Sequence, residues 1–182
     1  MSQKELFDLV LLLGETMLSN GGEIFRTNEL MVYAARQFGL RECSVFTIAN
    51  GIFVSAIVEG ELYSCQVRHI PLTPIHLERV EAMNDLSRRI AVGVVGPEEA
   101  KAEVHRIRAI KGAGPVALTL ASALGAGGFG FLFGGNLRDC AMSALAGLLL
   151  YVFILNFCNR FHIRKVMTNI LSSALVTLFC CV

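Results

Sequence analysis

The chain runs to 182 residues with 16 Lys/Arg, 15 Asp/Glu and a formal net charge of +1. That near-neutral balance without a basic patch excludes nucleic acid as an expected partner, while 54% hydrophobic residues and a mean hydropathy of +0.58 exceed ordinary globular usage. The apolar excess sits at the C-terminal end: residues 1–114 hold 12 Lys/Arg and 14 Asp/Glu, a net of −2, whereas residues 115–182 hold 4 and 1, a net of +3.

Met1 to Leu18 contains Asp8 and Glu15 and has neither a basic start nor a small-residue cleavage site, so no signal peptide is expected. Residues 3–19 place Leu6, Leu9, Val10, Leu13 and Met17 at helical spacing, and Asn20-Gly21-Gly22 stops that helix. A second helix is expected over residues 23–38, closed by Gly39 as its C-cap. The period then changes. Ser44–Ala49 and Ile52–Val58 read as strands joined at Asn50-Gly51, and Glu59-Gly60 leads into a third strand near Leu62–Ile70. Thr73-Pro74 supplies an N-cap and a first-turn proline for a helix through about Ala91, and Gly96-Pro97-Glu98-Glu99 does the same for one through about Lys111. The order ααβββαα predicts an α+β cytosolic domain over residues 1–114, followed by an α-helical transmembrane bundle.

Lys111-Gly112-Ala113-Gly114-Pro115 breaks the last of these helices and leads into three apolar stretches, residues 115–135, 140–157 and 166–182. A helix rising about 1.5 Å per residue needs roughly 20 apolar residues to cross about 30 Å of hydrocarbon. The first stretch is long enough, the second is slightly short, and the third is still running at Val182, so the expected bundle is incomplete within this sequence. Arg106, Arg108 and Lys111 precede the first stretch, and Arg160, Arg164 and Lys165 separate the second from the third. Only Arg138 separates the first from the second, so the soluble domain is expected in the cytoplasm. Within the first stretch Ser122, Ala126, Gly130 and Gly134 recur every four residues, a small-residue stripe suited to close helix packing, with Ser143 and Gly147 as a counterpart. A glycine-lined pathway is the alternative use of that stripe.

Enzyme chemistry finds little support. His69, His76, His105 and His162 lack metal-ligand spacing, and no phosphate loop, nucleophile elbow or paired-carboxylate motif stands in a credible setting. The six cysteines show no paired pattern and read as free thiols of a reducing compartment, so neither metal nor other cofactor is expected. Two charged constellations remain. In Gly21-Gly22-Glu23-Ile24-Phe25-Arg26 the glycines permit a tight turn, and Glu23 in the first helical turn suits the positive end of the dipole. Arg26, Glu29 and Tyr33 project to one side with Arg26 and Glu29 able to pair, while Asn28 falls with Ile24, Met31 and Ala35 on the apolar side as a structural tie to the hairpin or the Asn84 helix. Glu23, Arg26 and Glu29 are either structural or substrate and gating residues. Asp139 beside Arg138 is either an interfacial pair or a carboxylate that takes a proton or a cationic substrate group.

The Gly-Gly-Glu-Ile-Phe-Arg run resembles the Gly-Ala-Glu-x-x-Arg element of the threonine/serine exporter family, and Phe131-Leu132-Phe133-Gly134-Gly135 followed by Asp139 is similar to that family's Phe-Gly-Gly-x-x-x-Asp element. The order of hairpin, Arg68, Asn84-bearing helix and Pro-Glu-Glu-Ala helix start is similar too. Two departures stand out: Asn28 where members usually have an acidic residue, and no later Pro-Gly-x-x-x-x-Asn element. The resemblance implies an exporter subunit for small amino acids such as threonine and serine, driven by the proton gradient, multi-pass in the inner membrane and in contact with membrane lipid. It also implies completion by a second membrane module or a small membrane partner, and oligomeric assembly. A small dicarboxylate exporter subunit and a membrane-tethered sensory or scaffold subunit are the alternative readings.

Overall fold

The computed structural model describes residues 1–58, 61–64, 68–71, 75–158 and 165–181. The Glu59-Gly60 turn, Cys65, the Thr73-Pro74 cap and the charges of Arg160, His162 and Arg164 lie outside the described residues. The chain divides into two units, Met1–Lys111 and Gly112–Val182.

The first unit is built around α1 (Gln3–Ser19). Its start is set by a capping box: the Glu5 N–H donates to Ser2 Oγ (3.3 Å), and the Ser2 N–H donates to Glu5 Oε2 (2.7 Å). That second bond holds the Glu5 carboxyl below the usual carboxylate range. Apolar residues at Phe7, Val10, Leu11, Leu13, Met17 and Leu18 spread around more than one stripe of the helix, and all are buried. Burial on most sides makes α1 a central helix, not a surface one. Around it pack α2 (Ile24–Gln37), α3 (Leu77–Ala91), α4 (Pro97–Ala109) and one face of a sheet. Gly14 of α1 lies where α2 crosses, and a Cβ there would overlap the buried Met31 side chain.

The sheet is antiparallel. Strand β2 (Gly51–Val58) pairs with β1 (Arg41–Ile48) on one edge and with β3 (Glu61–Ser64) and β4 (Arg68–His69) on the other. Alternate residues Ile52, Val54 and Ala56 turn into the core, as the two-residue strand period requires. The hairpin turn falls at Ala49-Asn50, one residue earlier than expected, because Gly51 already pairs with Ile48. At Glu42 the backbone is left-handed (φ 47°), and the register slips by one residue between Arg41 and Ser44, which is a β-bulge.

The α+β expectation is therefore corrected. Helices make up most of the described chain, and the sheet is a small antiparallel patch whose substance is the β1–β2 hairpin. Of the stretch expected as a third strand, the described residues pair with β2 over Glu61–Ser64 and Arg68–His69. The expected succession of cytosolic domain and three-span bundle is not displayed either. Two helices are long and apolar enough to cross a membrane, Pro115–Leu132 and Leu137–Phe157, while Met167–Leu178 is a shorter apolar stretch.

A polar knot ties three helix ends of the first unit. The Arg79 guanidinium donates to the Ile110 carbonyl through Nη2 (2.6 Å) and Nε (3.1 Å), and to Asn20 Oδ1 through Nη1 (3.2 Å). Asn20 Nδ2 donates back to the Thr16 carbonyl at 2.6 Å, and the His76 N–H donates to the Asn20 carbonyl at 3.0 Å. One cation thus satisfies the orphan Ile110 carbonyl past α4 and the side-chain oxygen of Asn20, the C-cap of α1.

The second unit contains α5 (Pro115–Leu132), α6 (Leu137–Phe153) with a π-helical turn at Ile154–Cys158, and α7 (Lys165–Cys181). Helices α5 and α6 form an antiparallel hairpin along the small-residue stripe. Ser122 Oγ donates to the Gly147 carbonyl across the seam at 3.0 Å. A Cβ on Gly147 would stand 2.7 Å from both the Ser122 carbonyl oxygen and Ala126 Cβ, and one on Gly130 would stand 3.1 Å from Ser143 Oγ. Ser122, Ala126 and Gly130 therefore lie at the contact. Gly134 does not: it is the left-handed residue (φ 84°) that ends α5, with open space where its Cβ would be, and the seam is continued by Gly127 against Ala144 and Cys140.

Two outcomes follow from these contacts. Gly147→Ala should destabilise the helix hairpin by about 1–3 kcal/mol, because the new methyl meets a backbone carbonyl that cannot rotate away. Gly125→Ala, in the same helix pair but facing open space, should be neutral or gain up to about 1 kcal/mol from helix propensity. Denaturation of the purified chain in detergent compares them, and equal midpoints for the two variants would remove the seam argument. In the first unit, Arg79→Ala should cost about 1.5–3 kcal/mol by leaving the Ile110 carbonyl and Asn20 unsatisfied. The same denaturation experiment reads it, and a loss below 0.5 kcal/mol (roughly the spread of ordinary surface changes) would show the knot to be dispensable.

Candidate functional site

The charged residues of α2 owe their placement to its buried stripe. Thr27, Leu30, Met31, Ala34 and Ala35 face α1 and the core, which turns Arg26, Glu29 and Tyr33 outward along the side next to α3. Thr27, a polar residue on the buried side, is satisfied by its own helix, with Oγ1 donating to the Glu23 carbonyl at 2.9 Å. Asn28 is half-buried at the margin of the stripe and Ile24 is 43% exposed, so the apolar side is rotated from the one expected around Asn28.

Between α2 and α3 runs a groove of about 720 Å³. Arg26 and Glu29 line it from α2, and Glu81, Asn84 and Arg88 line it from α3. Arg26 Nη1 and Glu29 Oε2 are 3.4 Å apart with the side chains 62% and 28% exposed, a weak pair screened by solvent. Arg88 pairs within its own helix with Asp85 at 3.3 Å. Glu23 stands apart from this group. It is the exposed N-cap of α2, one position earlier than its expected place in the first turn, and its carboxylate makes no capping hydrogen bond. The structure thus brings Arg26 and Glu29 together with Asn84, and leaves Glu23 outside the groove lining.

Asp139 belongs to the second unit. Helix α6 begins at Leu137, earlier than the stretch expected from Cys140, so Arg138 and Asp139 lie on its first turn and not in a loop. The Asp139 carboxylate accepts the Asn136 N–H at 2.8 Å, a capping role that also sets the negative charge against the positive helix end. Among the described residues Arg138, on the same turn, forms no ion pair with Asp139. Asp139 remains exposed at the rim of a groove of about 670 Å³ that continues past Gly130, Ser143 and Gly147. A second hollow of about 530 Å³ lies between α6 and α7, lined by Leu149, Phe153, Leu175 and Val176, with Asn156 its polar member. Asn156 sits on the π-helical turn, a feature that no local residue pattern announces; the lone Asn in an apolar run is its only trace in the sequence. Among the described residues no group of His, Cys, Asp and Glu is arranged to hold a metal ion.

Comparison with known proteins adds to this geometry. The family model ThrE, described as a threonine/serine exporter, matches residues 8–182. No curated protein and no solved structure matches the chain. The family match runs through both units, over the Gly-Gly-Glu-x-x-Arg turn, the α2–α3 groove and the α5–α6 hairpin alike. A transporter family implies a membrane location, and the two helices of spanning length accord with that. On this match the chain belongs to the threonine/serine exporter family.

Proposed function

We propose that the chain is a subunit of an exporter that moves small amino acids such as threonine and serine out of the cell, with the proton gradient as its energy source. The observation that carries this reading is the family match over residues 8–182. The subunit is a multi-pass component of the inner membrane whose first unit faces the cytoplasm, an orientation supported by the six cations that flank the apolar stretches on one side against Arg138 on the other. A second membrane module or small membrane partner completes the translocation path.

Asp139 is the residue suited to coupling. Its carboxylate is exposed at a groove rim in a segment of membrane-spanning length, and ionisable groups at such places serve ion or substrate movement. Its helix-capping bond sharpens the test. In Asp139→Asn the amide oxygen still accepts the Asn136 N–H, so the start of α6 should lose less than about 1 kcal/mol. Efflux of labelled threonine from preloaded cells should fall to background in this variant while membrane abundance stays level. Undiminished efflux would remove Asp139 from coupling and leave it a cap.

Orientation is tested separately. In a chain freed of native cysteines, Phe133→Cys at the α5–α6 turn should react with a membrane-impermeant maleimide added to intact cells, since Phe133 is 87% exposed. Lys111→Cys should react only after the cells are permeabilised. The opposite pattern would invert the assignment.

A further inference from the structure

The α2–α3 groove carries chemistry that the fold does not need. Among the described residues, no hydrogen bond engages the side chains of Tyr33, Asn84 or Ser87, although all three line it. Among the described residues Arg26 and Glu29 bind only each other, at 3.4 Å with side chains 62% and 28% exposed. Glu81 on the facing wall forms no ion pair among the described residues. The volume of about 720 Å³ lies in the range of small-molecule sites, about 300–1,000 Å³.

The signs of the charges select the ligand class. Each wall presents one cation and one anion, Arg26 with Glu29 on α2 and Arg88 with Glu81 on α3. A polyanion such as a nucleotide would meet two carboxylates, and a bare metal ion would meet two guanidinium groups; both are disfavoured. A small neutral molecule with separated charges meets neither penalty. We propose that this groove binds a free α-amino acid as its zwitterion, the carboxylate held by the Arg26 guanidinium and the ammonium group by Glu29 and Glu81. Asn84 and Ser87 read a side-chain hydroxyl, a choice of ligand that rests on the exporter reading above. The carboxylate takes Arg26 by the fork geometry that guanidinium groups offer, and the weak Arg26–Glu29 pair is exchanged for two charge-assisted contacts. The groove thereby serves the first unit as a recognition site for the amino acid that the transporter moves.

The test is equilibrium dialysis of the purified full-length chain in detergent with radiolabelled L-threonine. Binding should saturate and be competed by L-serine, by L-alanine about tenfold less well for want of a hydroxyl, and not by acetate or ethanolamine, which each carry one of the two charges. Arg26→Gln and Glu29→Gln should each weaken binding by roughly tenfold or more. Asn84→Ala and Ser87→Ala should weaken threonine binding while leaving alanine binding unchanged, a split that a distorted fold would not produce. Absent binding to the native chain, or binding indifferent to all four substitutions, overturns the proposal. Threonine efflux from cells expressing the same chains keeps the two readings apart: efflux without groove-dependent binding sinks the groove and leaves the exporter standing. Groove-dependent binding without efflux, in cells that also supply the completing membrane partner, upholds the groove and sinks the export reading.

Discussion

Space left by glycine where helices meet is the constraint common to both units. In the first, α1 lies buried on most sides, and Gly14 leaves room for the Met31 side chain of α2. In the second, α5 and α6 meet where Gly127, Gly130 and Gly147 stand opposite small residues or carbonyl oxygens. The energetic sources differ. In water, burial of residues such as Phe7, Leu13 and Met17 drives packing at about 25 cal/mol per Å² of apolar surface. In lipid that force between helices vanishes, so dispersion contact and the Ser122-to-Gly147 hydrogen bond must hold the pair, and both act only at short range.

Polar groups are arranged around these packed seams according to what the backbone leaves unsatisfied. Arg79 closes the end of α4 through the Ile110 carbonyl, which has no partner inside its own helix, and reaches the end of α1 through the Asn20 side-chain oxygen. Asn136 and Asp139 open α6, and Ser2 and Glu5 open α1, by the same logic at N-termini. Against that background the α2–α3 groove is distinctive for polar groups that no helix end requires. Tyr33, Asn84 and Ser87 could be replaced by apolar residues without orphaning any described partner, which is why a role outside folding is argued for them.

A carboxylate at a helix start poses the sharper problem for function. The dipole and the free N–H groups favour Asp139 there whatever its role, so its presence alone does not mark a transport residue. What distinguishes it from Glu5 is its surroundings: a groove rim within a segment of spanning length, not the end of a helix in the first unit. Substituting a side chain that keeps the capping oxygen and loses the charge separates the two roles physically.

Local pattern was enough to read most of the helices. The apolar spacing of residues 3–19, Gly39 and Gly96-Pro97 as punctuation and the long apolar run from Pro115 act within a few residues, and sequence alone determines such effects. It likewise showed that Arg26 and Glu29 share a side of α2, since i and i+3 are neighbours on any helix. The fold class was misjudged because β propensity in residues 44–70 is local and says nothing of how helices fill the space around α1. Gly134 was read as packing because periodicity cannot see where a helix ends in a left-handed turn, and Asn28 as buried because small rotations of α2 are set by its partner helices. The meeting of Arg26 and Glu29 with Asn84, and of Arg79 with Ile110, joins residues far apart in the chain, and only the packing of helices against one core could decide it.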